Sequence, residues 1–255
     1  MFRSNQRSAA GAWVGFVIAA ALVLVAVLAT PTSVRAAPLT VINPSFELPD
    51  IAGGTFSGNT SNGPVGWGWS AYYIGPARPS RFFGVWDATG TPSFVAVPHG
   101  RQVGVVFLDD ALGLEAGIRQ TLADTLQPFT EYSLSVGVGN FAPSPGGDPW
   151  NFAGFPGYRV ELLAGNAVLA LDNNSLNPGE GVFQTATVNF TTGAAHANMG
   201  QALTIRLINL NGPGVEVNFD NVSLNALAVP EPSSFALLAL GALLLVWHRR
   251  SKAAR

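Results

Sequence analysis

Cysteine is absent from this chain of 255 residues, histidine occurs three times, and charged residues make up only 11% of it. Without cysteine the protein has no disulfide framework, no thiol nucleophile and no thiolate metal site. Lysine is missing between Ala37 and Ala228, which excludes a P-loop from that region. The two histidines of the region, His99 and His196, lack the spacing of a zinc-binding pair. Packing alone must therefore hold this part of the chain together.

Common catalytic motifs are missing as well. The sequence contains no Gly-x-Ser-x-Gly, the motif that carries the nucleophile of many hydrolases. Asp109 and Asp110 are adjacent, so on a strand their side chains would point to opposite faces and could not flank one bond. The sequence therefore predicts no catalytic residue and a protein that is not an enzyme, with a hydrolase as the less favoured alternative.

The net charge of -2 hides an uneven distribution of charge along the chain. Residues 37–228 hold six arginines against fourteen Asp and Glu residues, a net charge of -8. A domain this acidic repels phosphate backbones, which excludes nucleic acid as a partner. Neutral sugars and divalent cations are compatible with this charge.

The N-terminus has the three parts of a secretory signal peptide. Arg3 and Arg7 precede an apolar run over residues 12–29, and small residues follow it, with Val34 and Ala36 at the -3 and -1 positions of a cleavage site. Residues 1–36 are therefore predicted to be a signal peptide that forms a helix and is removed on export.

The middle of the chain, residues 37–228, consists of short apolar runs separated by Gly, Pro and Asn clusters. Tyr132, Leu134, Val136 and Val138 alternate with small or polar residues, as on a strand with one buried face. A similar alternation near the end of the region changes phase at Asp220–Asn221, which predicts a β-bulge. With no long amphipathic helix in this region, we expect one all-β domain, an antiparallel sandwich.

The C-terminal tail, residues 229–255, has its own three parts. Val229, Pro230, Glu231, Pro232 and Ser233 form an extended lead, because proline fixes φ and lacks a backbone donor. Residues 235–247 are an uninterrupted apolar run, and 249–255 is a basic end that begins with Arg249 and Arg250. The run is short for a bilayer core of about 30 Å, but a basic end favours a membrane helix over a buried one. A short C-terminal transmembrane helix is therefore expected.

This order of proline-rich lead, apolar helix and arginine pair resembles the PEP-CTERM sorting signal of exopolysaccharide-producing Gram-negative bacteria. The resemblance implies export through the inner membrane and recognition of the lead by an exosortase-type membrane protease. It also implies transient attachment to the membrane through the C-terminal helix and a final location at the cell surface or in the extracellular matrix. A simple C-terminal anchor is the alternative.

Four short motifs of the middle region resemble galactose-binding-like jelly rolls, a group that includes many carbohydrate-binding modules. The motifs lie at residues 41–47, which we expect to form the first strand, at 117–122 and 132–134, and at 217–224, which we expect to form the last strand. The resemblance implies a jelly-roll sandwich with a structural calcium held by Glu47 and Asp220, and no other cofactor. Calcium takes several oxygen ligands, so two carboxylates do not prove a site. The alternative is that Asp220 accepts backbone hydrogen bonds at the bulge and that Glu47 is solvated.

Aromatic residues in a long loop and at the end of one predicted strand are candidates for carbohydrate binding, because flat rings stack on sugars. Trp150, Phe152 and Phe155 lie in a stretch rich in Gly and Pro, and Trp86 is followed by Asp87. Covering one end of the sandwich is an equally good role for the rings of the loop. The hypothesis from the sequence is non-catalytic association with an exopolysaccharide. The rival is a structural component of the envelope or biofilm matrix without a specific ligand.

Overall fold

The computed structural model describes residues 35–59, 64–73, 81–109, 114–144, 152–212, 214–229 and 234–253. Residues 36–228 form one compact unit, and the C-terminal helix belongs to another. Nearly all of the predicted signal peptide, residues 1–34, lies outside the described residues.

Seven of the described strands form sheet A. They are β1 (Ala37–Pro38), β2 (Phe56–Asn59), β5 (Arg81–Asp87), β6 (Gln102–Leu108), β8 (Thr130–Asn140), β11 (Val182–Thr191) and β13 (Glu216–Ala228). Their order is β11-β8-β13-β6-β5-β2, with β1 paired to the last part of β13. All of these pairs are antiparallel.

Six further strands form sheet B. They are β3 (Pro64–Gly66), β4 (Trp69–Tyr73), β7 (Ala116–Thr125), β9 (Tyr158–Ala164), β10 (Ala167–Asn173) and β12 (Ala202–Asn209). Their order is β10-β9-β12-β7-β4-β3, and again every pair is antiparallel.

One apolar core lies between the two sheets. Leu134, Val136 and Val138 of β8 are fully buried and belong to the same cluster as Val160 and Leu162 of β9. Burial at every second position is what a strand with one inward face produces. The prediction of an all-β, antiparallel jelly-roll sandwich is therefore confirmed.

The predicted bulge in the last strand is present. The register between β13 and β8 shifts between Asp220 and Ser223, and Asn221 has a φ of 49°. Residues 41–47, by contrast, do not form the expected strand. Asn43 adopts a left-handed φ of 49°, and its side chain bonds the backbone N–H and C=O of Leu48. These local bonds compete with a strand ladder, so this stretch is a loop.

The outer face of sheet B is polar and its charges are paired. Oε1 of Glu161 accepts a hydrogen bond from Nε of Arg159 at 2.7 Å. Its Oε2 forms an ion pair with Nε of Arg206 at 2.7 Å, and Arg159 also pairs with Glu115. The guanidinium of Arg206 lies 4.6 Å from the centre of the Tyr72 ring. Each of these three arginine and glutamate contacts joins groups of opposite charge.

Helix α1 spans Ser234–Ala253 and so includes the predicted apolar run and part of the basic end. In the described parts of the chain, no helix combines the length and apolarity needed to cross a membrane. The predicted transmembrane role of this segment is therefore not supported.

Candidate functional site

The outer face of sheet A is aromatic. Phe83, Val85, Val106 and Leu108 point into the core, so their neighbours along β5 and β6 point to the opposite side of the sheet. We call the rings gathered there the aromatic face: Phe56, Phe82, Trp86, Phe94, Phe107, Phe141, Phe152 and Phe183.

Loop residues build the aromatic face together with the strands. Phe94 and Phe141 follow the ends of β5 and β8, and their rings meet edge to face with centres 5.6 Å apart. Phe152 precedes β9 and lies 4.8 Å from Phe141 and 6.1 Å from Phe107, centre to centre. Phe94, Phe141 and Phe152 form, with Val103, a small apolar cluster separate from the main core. The loops thus keep water from part of a sheet surface that would otherwise be solvated.

Glu216 is an acid on this same face. Val217 and Phe219 point into the core, so Glu216, Asn218 and Asp220 point outward from sheet A. Glu216 pairs with Phe107 in the β13–β6 register, and Phe107 pairs with Phe82 on the next strand. Residues directly opposite one another on neighbouring strands have Cβ atoms about 5 Å apart. The carboxyl group therefore lies next to aromatic rings.

Burial controls the protonation of Glu216, which is 7% exposed. Burial raises the pKa of Glu216 to about 7, and a hydrogen bond from Asn218 opposes this increase. Removal from water favours the neutral form of a carboxyl group. A carboxyl group with a pKa close to neutral pH can both donate and accept a proton, as general acid–base catalysis requires.

Asn218 is fully buried beside Glu216. Its Nδ2 donates to Oε1 of Glu216 at 2.8 Å and to the carbonyl of Gly104 at 3.4 Å. Within the part of the chain that the structure describes, its Oδ1 and the buried Nε1 of Trp86 have no hydrogen-bond partner. The face therefore holds an acid, a buried acceptor and a buried donor among aromatic rings.

The proposed calcium ligands converge on one loop. Oε1 of Glu47 accepts from the backbone N–H of Arg101 and Gln102 at 3.0 and 2.9 Å. Oδ2 of Asp220 accepts from the N–H of His99 at 2.8 Å. Burial raises the pKa of Asp220 to about 7, and the negative charge of Glu47 adds to this rise, whereas its backbone hydrogen bonds lower it. Among the described residues, no cluster of three or more acidic or histidine side chains is arranged to hold a metal.

The residues predicted to bind sugar are not all in one place. Trp86 and Phe152 lie on the aromatic face. Phe155 packs against the main core near Tyr158, with ring centres 6.2 Å apart. Asp87 is fully buried, accepts from the N–H of Thr89 and contacts Arg101, so it points away from its neighbour Trp86. Trp150 lies outside the described residues.

The sorting residues are described in part. Val229 follows the end of β13 directly, and Arg249 and Arg250 lie in α1, where Arg250 is exposed. Pro230, Glu231 and Pro232 lie outside the described residues.

Glu216 and its aromatic surroundings are not among the site residues predicted from the sequence. Glu216 begins a stretch in which polar residues alternate with Val217 and Phe219, the usual pattern of a strand with one solvated face. The outward positions of β5 and β6 carry Phe82, Trp86 and Phe107 instead of polar residues. Aromatic residues at solvent-facing positions of neighbouring strands were the signal that this face is covered.

Comparison with known proteins gives several close matches. A family model described as HpiC1-like, HpiC1 cyclase, matches residues 37–225. The Stig cyclase Fisc from Fischerella sp. TAU, in complex with (3Z)-3-(1-methyl-2-pyrrolidinylidene)-3H-indole, is 37% identical, with a TM-score of 0.68 over 77% of this chain and 100% of that chain. A cyclase from the same organism in complex with 4-(1H-indol-3-yl)butan-2-one is 34% identical, with a TM-score of 0.66 over 76% of this chain and 99% of that chain. No curated protein matches this sequence.

The tail matches a second family model, the PEP-CTERM protein-sorting motif, over residues 228–250. The predicted sorting signal is therefore confirmed. It indicates exosortase-dependent export to the cell surface, with an exosortase as the processing partner.

These matches bear on two of the predictions. The resemblance of the middle region to galactose-binding-like domains is not confirmed, although the jelly-roll architecture is. The prediction of a non-catalytic protein is contradicted, because the matched family and the solved relatives are cyclases, which are enzymes. With residues 37–225 matched, about three quarters of the sequence, the chain belongs to the HpiC1-like cyclase family.

Proposed function

We propose that this chain is an exported cyclase that closes a ring on an indole-like substrate, with Glu216 as proton donor and acceptor. The observation that carries the proposal is a buried carboxyl group, with its pKa raised to about 7, directly opposite Phe107 on an aromatic face. Two solved relatives of the family hold indole compounds, which supports this class of substrate for the present chain.

The aromatic face suits a flat substrate for a simple physical reason. Aromatic rings prefer offset stacked or edge-to-face contacts at centre separations of about 4.5–7 Å. Phe107, Phe141 and Trp86 already meet one another or Phe152 in this range. A planar bicyclic ring that joined them would lose water on both sides and come close to the acid.

Glu216 serves the ring closure in two proton transfers. The protonated carboxyl group first donates to a basic nitrogen or a double bond of the substrate, which leaves an electron-poor carbon. A π bond of the same molecule attacks that carbon and forms the new carbon–carbon bond. The carboxylate then takes a proton from the ring-closed cation and returns to its starting state. The balance is an isomerisation, so the reaction consumes no oxidant, reductant or water.

The test is a comparison of the wild-type chain with Glu216→Gln. Glutamine has the same shape and keeps an acceptor for Asn218, but it cannot transfer a proton. We expect binding of 4-(1H-indol-3-yl)butan-2-one to change by no more than a few-fold. Conversion of indole-bearing alkenes to products of equal mass should fall at least about a hundredfold. Activity of the wild type should decline as the pH rises through about 7, because the first step needs the protonated acid.

Glu131→Gln is the matched control, since Glu131 is an exposed glutamate on β8 of the same sheet. Its binding and turnover should equal those of the wild type. If Glu216→Gln converts substrate at the wild-type rate, Glu216 is not the acid and the proposal fails.

We propose a structural rather than a catalytic role for calcium at Glu47 and Asp220. Two carboxylates that reach the same loop repel each other, and Glu47 contributes to the raised pKa of Asp220. A divalent cation between them would remove this repulsion and would tie the loop after β1 to the last strand. Backbone carbonyls and water would supply the other oxygen ligands.

Polysaccharide association has less support than the cyclase proposal. Of the candidate residues, Trp86 and Phe152 lie on the aromatic face, the face that also carries Glu216, and Asp87 is buried away from them. Calorimetric titration of the full chain with the exopolysaccharide of the producing organism separates the two. A saturable heat of binding that is lost in the Trp86→Ala variant would favour polysaccharide association.

A further inference from the structure

The hairpin turn between β3 and β4 holds a tryptophan in a backbone conformation that bulky residues avoid. Gly66 pairs with Trp69, so Trp67 and Gly68 form a two-residue turn. Their φ angles are 49° and 93°. Positive φ at both positions is what a type I′ turn requires, and such turns favour Asn-Gly because most side chains are strained there. Trp67 therefore makes this turn less stable than asparagine would.

Burial does not offset this strain. Trp67 is 39% exposed, whereas Trp69, on the first position of β4, is 3% exposed. A tryptophan side chain has a surface of about 250 Å², so about 100 Å² of Trp67 stays in contact with water. Backbone strain that brings no gain in packing is found mostly at binding and active sites. The conformation and the exposure of Trp67 thus both indicate a role in binding.

Ile42 is a second exposed apolar residue beside this turn. Its side chain is 55% exposed. A Cβ atom on Gly68 would lie 2.7 Å from Cβ of Ile42, so the isoleucine lies directly against the turn. We call Trp67 and Ile42 the apolar tip.

Hydrogen bonds from buried side chains hold the apolar tip in place. Gln120 is 2% exposed, accepts from the N–H of Ile42 at 2.7 Å and donates to its carbonyl at 2.9 Å. Nε1 of Trp69 donates to the carbonyl of Asn43 at 3.2 Å and so ties the hairpin to the same loop. A ligand of the apolar tip would therefore find its binding surface already ordered, which lowers the entropic cost of binding.

Size and charge restrict the class of ligand. A stable protein–protein interface buries about 800 Å² on each partner, several times the area that Trp67 exposes. The net charge of -8 over residues 37–228 repels acidic polymers and anionic membrane surfaces. A neutral sugar ring is not repelled, and it matches one indole ring in size and offers an apolar face of C–H groups to it.

We propose that the apolar tip, Trp67 with Ile42, is a binding site for a neutral polysaccharide. The sugar ring stacks on the indole of Trp67, and Ile42 extends the apolar contact. The site goes beyond the cyclase function and does not involve Glu216, because the turn belongs to sheet B and the aromatic face to sheet A. It also differs from the sugar-binding residues predicted from the sequence, none of which lies in this turn. Such a site would hold the exported enzyme on a surface glycan and leave the aromatic face free.

The test is native electrophoresis of the full chain in gels that contain one polymer each. The neutral polymers are a soluble β-glucan, a galactomannan and a xylan, and the acidic polymer is alginate. We expect at least one neutral polymer to retard the wild type and alginate to have no effect. Trp67→Asn should raise the Kd for that neutral polymer at least tenfold, because the stacking ring is lost. The same variant should unfold at a higher urea concentration, since asparagine relieves the strain of the turn.

Trp247→Asn is the matched control, because Trp247 is a tryptophan of α1 that is 53% exposed. It should keep the Kd of the wild type, and Trp67→Phe, which retains a ring, should stay within a few-fold of it. If Trp67→Asn keeps the Kd and unfolds at a lower urea concentration, Trp67 is a packing residue and the inference fails. A wild type that no neutral polymer retards also overturns it, whatever the result of Glu216→Gln.

Discussion

Replacing Glu216 with glutamine should make the free energy of unfolding depend less on pH. In the wild type, burial raises the pKa of Glu216 from the ordinary 4.5 to about 7. The folded state therefore holds a proton that the unfolded chain has already released between these two pH values. Stability from this group is complete below about pH 4.5 and is lost as the pH rises through about 7. Glutamine is neutral throughout and shows no such loss.

The size of the effect follows from the two pKa values. The difference between 4.5 and about 7, at about 1.4 kcal/mol per pH unit, corresponds to about 3 kcal/mol. Near pH 4.5 Glu216→Gln and the wild type should have similar free energies of unfolding, because both then carry a neutral group. At pH 8 the variant should be more stable by as much as about 3 kcal/mol. A buried acid retained at this cost is typical of a functional group.

The assay is urea unfolding of the full chain, followed by circular dichroism at several pH values between 4.5 and 8. Asp220 titrates in the same range, but it is present in both proteins, so the difference between their curves isolates Glu216. Glu131→Gln, at an exposed site, should give a curve parallel to that of the wild type. If the difference between Glu216→Gln and the wild type is the same at every pH, Glu216 is not a buried acid of raised pKa.

Three other experiments test separate parts of the structure. Phe107→Ala should weaken binding of 4-(1H-indol-3-yl)butan-2-one about tenfold in calorimetry, since a ring next to the acid is lost, whereas the exposed Leu171→Ala should not. Gly100→Ala should lower the free energy of unfolding by about 2 kcal/mol, because Gly100 has a φ of 65° and a Cβ would lie 2.3 Å from Oε1 of Glu47; an unchanged midpoint in urea would refute this. Calcium at a hundredfold excess over its Kd should stabilise the wild type by about 2.7 kcal/mol, and neither magnesium nor the Asp220→Asn variant should show this increase.

Local periodicity explains which parts of the fold could be predicted. The alternation from Tyr132 to Val138 and the phase change at Asp220–Asn221 are properties of neighbouring residues, and the structure has the strand and the bulge where these patterns lie. The loop at residues 41–47 was predicted as a strand because its apolar residues resemble one. The hydrogen bonds of the Asn43 side chain to the backbone of Leu48 stabilise a loop there instead of a strand.

The candidate site could not be predicted from such local patterns. Glu216 and Phe107 are far apart in the sequence and become neighbours only through the register of β13 and β6. The polar alternation at the start of β13 predicts solvent on this face. Only the packing of Phe94, Phe141 and Phe152 from three separate loops turns it into a buried surface. The raised pKa of Glu216 is a consequence of that burial, so no local pattern contains it.

The sequence by itself determined the β architecture and the sorting tail, because both depend on residues adjacent in the chain: a period of two in the strands and an ordered motif at residues 228–250. The tertiary structure alone decided that an acid, an unpaired amide oxygen and a set of rings share one face. The physical reason is that strand register and loop packing bring distant residues together and exclude water. These two effects place Asn218 beside Glu216 and raise the pKa of its carboxyl group.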